Sequence, residues 1–355
     1  MTKRMVLAQR EHPTRGGQPM AFFVGLVFAL VVGALLLWFS GDPVIDTYQR
    51  MWDRSFGSTD VISATLNRAV PLALAGLAVS IAAKMGLWNI GAEGQILFGA
   101  TAAAGMARIG ESWPGPILII AMLAAAAFGG ALWALGPALA RAEIGVSEII
   151  TTLMLNEVAL RLIRYLQGGP WKDPNGFGNL QVTAIPDQAG LGVIWERAHL
   201  GVLIALAVIL FFAWFMTRSV WGYELRIAGS SAKAATYVGI SMRSKVIGVL
   251  VLSGAVAGFA GGIELTGTAT RLNENLSNGF GFAGIIVAAL ALMRPSGVLL
   301  VAVAFGGLQV GGQSIQLLGV SSAVSAILQA LILFGAIGAA VLSTYQIRLV
   351  DRKVA

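Results

Sequence analysis

Apolar residues run along this chain in blocks of about 20, a length that carries a helix across the hydrocarbon of a bilayer. Short polar or charged breaks separate the blocks. The pattern predicts about ten spans, near 20–40, 64–84, 88–108, 115–139, 147–167, 198–217, 245–266, 280–293, 297–317 and 323–343. The eighth is short and the third is rich in glycine. The connections are short except at 168–197. The predicted fold class is all-α, a polytopic membrane protein of about ten transmembrane helices.

Composition agrees. The chain is 57% hydrophobic and 12% charged, where a soluble domain runs nearer 45–50% and about 25%. It has no cysteine, which excludes disulfides and thiolate metal sites. The net charge of +7 is spread in short runs between apolar blocks, a pattern that sets membrane orientation. With the N-terminus in the cytoplasm, 15 of the 24 Lys and Arg residues fall on the inner side, among them Lys84, Arg141, Arg226, Lys233 and Arg294. Both termini are therefore expected inside, as an even number of spans requires. The first apolar run ends "LLLWFSGDP". It is longer than a signal-peptide core and lacks the small-residue cleavage site, so it reads as an uncleaved helix. The predicted organisation is a tail at 1–19, a transmembrane domain at 20–343 with a cytoplasmic loop at 218–245, and a tail at 344–355. Spans two to five and seven to ten form a candidate inverted repeat, on topology alone.

Several chemistries are missing. There is no Gly-Lys pair and hence no phosphate-binding loop of the Gly-x-x-x-x-Gly-Lys type. His12 and His199 stand far apart and read as solvated or interfacial residues, not as metal ligands. "NGFGFAG" at 278–284 has dinucleotide-fingerprint spacing, but it follows a polar loop and opens a membrane span, where no βαβ unit exists. Asn275 heads a glycosylation sequon that reads as chance. No cofactor, no metal and no enzymatic reaction are expected.

The polar groups inside the spans carry the functional argument, because intramembrane ionisable residues are costly and default to function. In the fifth span, Glu148, Thr152 and Asn156 share one face, while Glu157, Arg161 and Arg164 share the opposite one. Glu157 and Arg161 have the i,i+4 order that favours an ion pair, so the second stripe reads as self-neutralising. The first has no cation on its own helix and is a candidate to face a cavity. Gln309, Gln313 and Gln316 make a stripe in the ninth span, and Ser322, Ser325 and Gln329 one in the tenth. Amides and hydroxyls suit a neutral, hydroxyl-rich solute or, equally, contacts between helices. The steps Gly254, Gly258 and Gly262 are close-packing signals. "WNIGAEGQ" at 88–95 reads as a kinked or broken entry into the third span, since Gly91 and Gly94 each weaken a helix by about 1 kcal/mol relative to alanine. Asn89, Glu93 and Gln95 would then satisfy freed backbone groups or line a path.

In the loop at 218–245, Ser230 or Ser231 can cap a short helix through "AKAATYV", and Gly239 can end it. Ala232, Ala235 and Val238 would give it a small apolar face suited to a partner's groove.

"GLWNIGAEGQ", "TTLMLNEVALRLIRYLQGGPWKDP" and "GYELRIAGSSAKAATYVGI" together resemble permease subunits of bacterial ABC importers. The likeness is to the nucleoside-type branch of the ribose and branched-chain amino acid permease family, and it covers roughly residues 65–320. The resemblance implies a ten-helix type II importer fold in the bacterial inner membrane. It also implies a second permease subunit, an ABC ATPase subunit and an extracytoplasmic substrate-binding protein. The loop at 218–245 would couple to the ATPase through Gly229, Ser230, Ser231, Ala232, Ala235, Tyr237 and Gly239. The solute path is expected at Trp88, Asn89, Glu93, Gln95, Glu148, Thr152, Asn156, Gln309 and Gln313. Nucleosides are the expected solute and ribose-like sugars the alternative. A proton-coupled transporter working through Glu93, Glu148 or Glu264 is the rival mechanism, and a structural membrane subunit is a third class.

Overall fold

The computed structural model describes residues 3–9, 17–174, 181–321 and 323–351. His12 and Ser322 lie outside the described residues. The elements, in order, are β1 (Lys3–Gln9), α1 (Gly17–Phe39), α2 (Val44–Phe56), α3 (Thr59–Ala83), α4 (Ala92–Ile109), α5 (Gly115–Ile144) and α6 (Glu148–Gly168), then β2 (Val193–Trp195), β3 (Ala198–His199), α7 (Gly201–Arg218), α8 (Val220–Ser230), α9 (Ala232–Tyr237) and α10 (Met242–Glu264). α11 (Phe280–Leu290), α12 (Pro295–Ser314), α13 (Ala323–Thr344) and β4 (Tyr345–Asp351) complete the chain.

Each of the ten predicted spans coincides with a helix. Among the described residues, five are long and apolar enough to cross a membrane by length and composition: Thr59–Ala83, Gly115–Ile144, Gly201–Arg218, Met242–Ala269 and Pro295–Ser314. The all-helical expectation is supplemented by two short antiparallel ribbons, β1 with β4 and β2 with β3. Two helices, α2 and α8, lie where the apolar pattern predicted none.

The chain forms two compact units, Met1–Arg54 with Leu308–Ala355, and Ser55–Gly307. In the first, α1 and α13 approach closely at glycine: a Cβ on Gly335 would stand 2.8 Å from Gly25 Cα. α2 is amphipathic, burying Thr47 and Met51 and exposing Ile45 and Trp52. Met51 joins Leu37, Ile315, Val320 and Leu328 in a small apolar core. β1 pairs with β4 from Lys3 opposite Asp351 to Gln9 opposite Tyr345. Residues 3–9 and 345–351 thus lie side by side.

In the second unit α3 is the central pillar. It is buried without interruption from Ala69 to Ala82, as a helix apolar on all sides should be. α4, α5 and α10 touch through backbone. A Cβ on Gly258 would lie 2.7 Å from Gly130 Cα, and one on Gly99 would lie 2.7 Å from the Gly258 carbonyl carbon. Small residues let membrane helices approach this closely.

α10 ends in a π-turn at Leu265–Ala269, and residues 270–279 are not helical. α11 is 11 residues long, about 16 Å, or half of a ~30 Å bilayer core. This half-helix accounts for the short eighth span.

The long connection after α6 is stitched to its neighbours. Asp173 pairs with Arg271 at 2.8 Å. The amides of Ile185 and Leu191 donate to the carbonyls of Thr270 and Thr266 at 2.9 and 2.8 Å. The amide of His199 donates to Asn67 Oδ1 at 3.1 Å. His199, read from its sequence position as solvated or interfacial, is buried. Its Nδ1 accepts from the Gly201 amide at 3.1 Å, and burial pulls its pKa below the usual value.

Candidate functional site

The break predicted at 88–95 exists. α3 stops at Ala83, and Gly86 takes the left-handed conformation (φ +69) that turns the chain. α4 starts only at Ala92. The non-helical stretch between them frees backbone groups that must find partners inside the protein. Four side-chain clasps hold the stretch, two of them through its own backbone.

The first is an amide pair. Asn89 Nδ2 donates to Gln95 Oε1 at 2.7 Å, and Gln95 Nε2 donates back to Asn89 Oδ1 at 3.1 Å. Asn89 Nδ2 also donates to Ser253 Oγ of α10 at 2.7 Å, and Ser253 donates to the Ala78 carbonyl of α3 at 2.6 Å. One line of bonds therefore ties α3, α10, the break and α4 together. It is closed to solvent, with Asn89 1% and Gln95 2% exposed.

The second clasp is Asn156 of α6. Its Oδ1 accepts from the Gly94 amide at 2.8 Å, and its Nδ2 donates to the Ile90 carbonyl at 3.0 Å. Glycine permits this approach. A Cβ on Gly94 would lie 2.9 Å from Asn156 Cα, and one on Gly91 would lie 2.7 Å from Thr152 Cβ.

The third is Glu148 at the start of α6. It accepts from the Trp88 amide at 3.2 Å and pairs with Arg141 Nε of α5 at 3.2 Å. Thr152 Oγ1 bonds the Glu148 carbonyl at 2.6 Å. Trp88 itself is 44% exposed.

The fourth is Glu93. Its carboxylate accepts from the amides of Gly279 at 3.2 Å and Gly281 at 2.8 Å. These sit at the N-terminus of the half-helix α11, where an anion complements the free amides and the helix dipole. Next to it, the Arg68 guanidinium of α3 lies over the Phe280 ring, 4.5 Å from its centroid. Arg68 also interacts electrostatically with the buried Glu264 of α10.

The break at 84–95 is thus a hub held by α3, α6, α10 and α11. Seven of the nine residues expected along a solute path lie in it or on the α6 stripe that grips it. The other two, Gln309 and Gln313, belong to the other compact unit, where Gln309 is half-buried and Gln313 exposed.

The two faces of α6 are distributed as follows. Glu148, Thr152 and Asn156 are buried against the hub. Glu157, Arg161 and Arg164 are exposed. Among the described residues no ion pair joins Glu157 to Arg161, and Arg164 pairs instead with Glu274. The self-neutralising stripe expected from spacing is therefore not formed.

The segment after α7 contains two capped helices. Ser219 Oγ accepts from the Gly222 amide at 3.0 Å to start α8. Ser231, not Ser230, caps α9, accepting from the Ala234 amide at 3.2 Å. Gly239 (φ +81) ends it. The anticipated apolar face at 232, 235 and 238 is split. Ala235 is 0% exposed and anchors α9, whereas Tyr237 is 93% exposed, with Lys233, Thr236 and Val238 also outward.

A further contact was not legible in the sequence. A Cβ on Gly229 would fall on the Lys84 carbonyl and lie 3.1 Å from Met85 Cα. The end of α8 therefore rests directly on the first residues of the hub. Lys84 lies in this junction, and burial, Arg226 and Arg294 all lower its pKa. Ser253 was missed as well. A lone hydroxyl in a glycine-rich helix was its only sequence signal.

Comparison with known proteins places this architecture. Residues 61–337 match the family described as branched-chain amino acid transport system / permease component. The guanosine ABC transporter permease protein of Bacillus subtilis is 34% identical over 93% of this chain and 95% of its own length. A glucose ABC transporter permease protein of Haloferax volcanii is 38% identical over 86% of this chain and 83% of its own. A nucleoside ABC transporter permease protein of Lactococcus lactis is 28% identical over 88% of each.

Proposed function

The chain belongs to the branched-chain amino acid transport system / permease component family, and from that premise we propose that it is the permease subunit of an ATP-driven nucleoside importer. It is a multi-pass protein of the plasma (inner) membrane, and its relatives are transport permeases. Residues 20–343 form the permease domain and 218–245 its cytoplasmic coupling loop. Its partners are an ABC ATPase, a second permease chain and an extracytoplasmic binding protein.

The observation that carries the solute class is the similarity to a guanosine permease across 93% of the chain, joined by a nucleoside permease at 28%. The glucose permease at 38% identity supports a sugar as the second reading. A nucleoside contains a ribose, so both readings demand a neutral, hydroxyl-bearing solute.

The mechanism follows from the linkage. The ATPase grips α9 through Tyr237 and its exposed neighbours, from Ser231 to Gly239. α9 carries α8, and Gly229 presses on Lys84. Displacement there moves the hub, and with it the α4, α6 and α11 ends that border the route. In this reading Trp88 reaches the route, and Asn89, Glu93, Gln95, Glu148, Thr152 and Asn156 form its frame. The acids of the proton-coupled rival are all engaged: Glu93 with two amides, Glu148 with Arg141 and Glu264 with Arg68. That supports an external engine.

The test is uptake of labelled guanosine by vesicles carrying the whole transporter. Uptake should persist with a protonophore while ATP is supplied, and stop when the ATPase is inactivated. Competition by excess glucose but not by uridine or adenosine would select the sugar reading. Uptake that survives loss of the ATPase would overturn the importer.

A further inference from the structure

Glu157 stands at the tenth of the 21 positions of α6, about 14 Å from the helix start at 1.5 Å per residue, close to the middle of the helix. Arg161 follows one turn later. Both are exposed. Met154, Val158 and Tyr165 are exposed beside them, and all five fall within an arc of about 100°. The opposite face, at Thr152, Asn156, Ala159 and Ile163, is buried. α6 cannot rotate to hide its charges, because Asn156 and Glu148 fix it to the hub.

Two charged side chains midway along the fifth predicted span, without an ion pair among the described residues and held outward, do not fit against lipid. Intramembrane charges face a bundle interior or a water-filled cavity. Other outward faces in this unit differ. On α5, Ile117, Ile120, Phe128 and Leu132 are exposed and apolar, as lipid contact requires.

We propose that Glu157 and Arg161 form a polar station inside the water-filled solute route, and that this face of α6 is a wall of that route. The proposal rests on the nucleoside reading for the identity of its ligand. A carboxylate accepts two N–H or O–H donors side by side, and a guanidinium one turn away donates to a carbonyl. Together they match a neutral solute that presents adjacent donors and an acceptor on one edge, as a guanine base does. The charge pair would favour such an edge over one with the donors missing.

The absence of native cysteine makes the test direct. Single cysteines replace Glu157 or Arg161, with Phe128→Cys of α5, 69% exposed, as the lipid-facing control. Met154→Cys and Val158→Cys probe the same face without removing a charge. Vesicles carrying the whole transporter are treated with a charged, water-soluble thiosulfonate, which needs a hydrated thiolate. Co-purification of the ATPase reports assembly.

Modification at 154, 157, 158 and 161 is expected to be at least roughly tenfold faster than at 128, and guanosine during turnover should slow it. Reaction as slow as at 128, or reaction that guanosine leaves unchanged while wild-type vesicles take guanosine up, overturns the proposal. If wild-type vesicles take up glucose and no nucleoside, the solute reading has failed. Protection by glucose then decides whether α6 lines the route.

Discussion

Replacing Asn156 by alanine tests whether the hub is a structural frame or a solute contact. The side chain satisfies two buried backbone groups, the Gly94 amide at 2.8 Å and the Ile90 carbonyl at 3.0 Å. Alanine leaves both without a partner. An unsatisfied buried polar group costs about 1–3 kcal/mol, so the pair predicts a loss of roughly 2–6 kcal/mol. At about 2 °C per kcal/mol for a chain of this size, the thermal midpoint of the purified protein should fall by roughly 4–12 °C. Uptake should fall with it, because the start of α4 loses its anchor. Asn156→Asp keeps the acceptor for Gly94 but loses the donor to Ile90, and should sit between the two in stability. Measuring the midpoint and guanosine uptake on the same preparations separates the readings. A variant with a wild-type midpoint and strongly reduced uptake would make Asn156 a solute ligand and refute the frame argument. A variant normal in both would show that the two bonds carry no weight.

Four further outcomes follow from the coupling helix, the α8 contact and the buried histidine. Tyr237→Asp should leave folding intact, since the ring is 93% exposed, yet lower uptake and ATPase retention by roughly tenfold, about 1.4 kcal/mol of binding; unchanged ATPase retention would remove α9 from the interface. Ala235→Glu should instead disrupt α9 itself, because its site is fully buried, so limited proteolysis in the 218–245 loop should rise. Gly229→Val should uncouple ATP hydrolysis from uptake, since its Cβ collides with the Lys84 carbonyl; coupled transport by that variant would break the proposed linkage. His199 predicts acid lability of a definite sign. Burial holds its folded-state pKa below the ordinary histidine value of about 6.5, so the unfolded chain binds more protons as pH falls under that value, and stability declines from there down to the folded value. A thermal midpoint that falls between about pH 7.5 and 5.5 should flatten in His199→Gln, and an unaltered slope would exclude the histidine as its origin.

Much of this molecule was legible in the sequence because lipid makes one demand on every span. Blocks of about 20 apolar residues located ten of the thirteen described helices, and two doubled glycine signals marked the break at 88–95 and the crossings at Gly254 and Gly258. What periodicity cannot supply is the partner. It separated the two stripes of α6 but not which one meets the hub, because that depends on Ile90 and Gly94, more than 60 residues away. The short eighth span was visible as an anomaly, but its cause, Glu93 at the head of a half-helix, joins positions 186 residues apart. α2 escaped because its apolar residues are few, although they share one face. On α9, spacing gave an apolar strip, and only packing reveals that Ala235 faces inward.

The glycine crossings have a mechanical consequence. Where Gly130, Gly254 and Gly258 bring α5 and α10 into backbone contact, there is no side chain that could change rotamer to cushion a shift. Sliding one helix past the other would drive carbonyl oxygens into main-chain atoms, so these two helices and α4 behave as a keel. Any rocking that opens a passage must be taken up where helices are joined by side-chain tethers, at the heads of α6 and α11, which can stretch and re-form without interlocking main chains having to part.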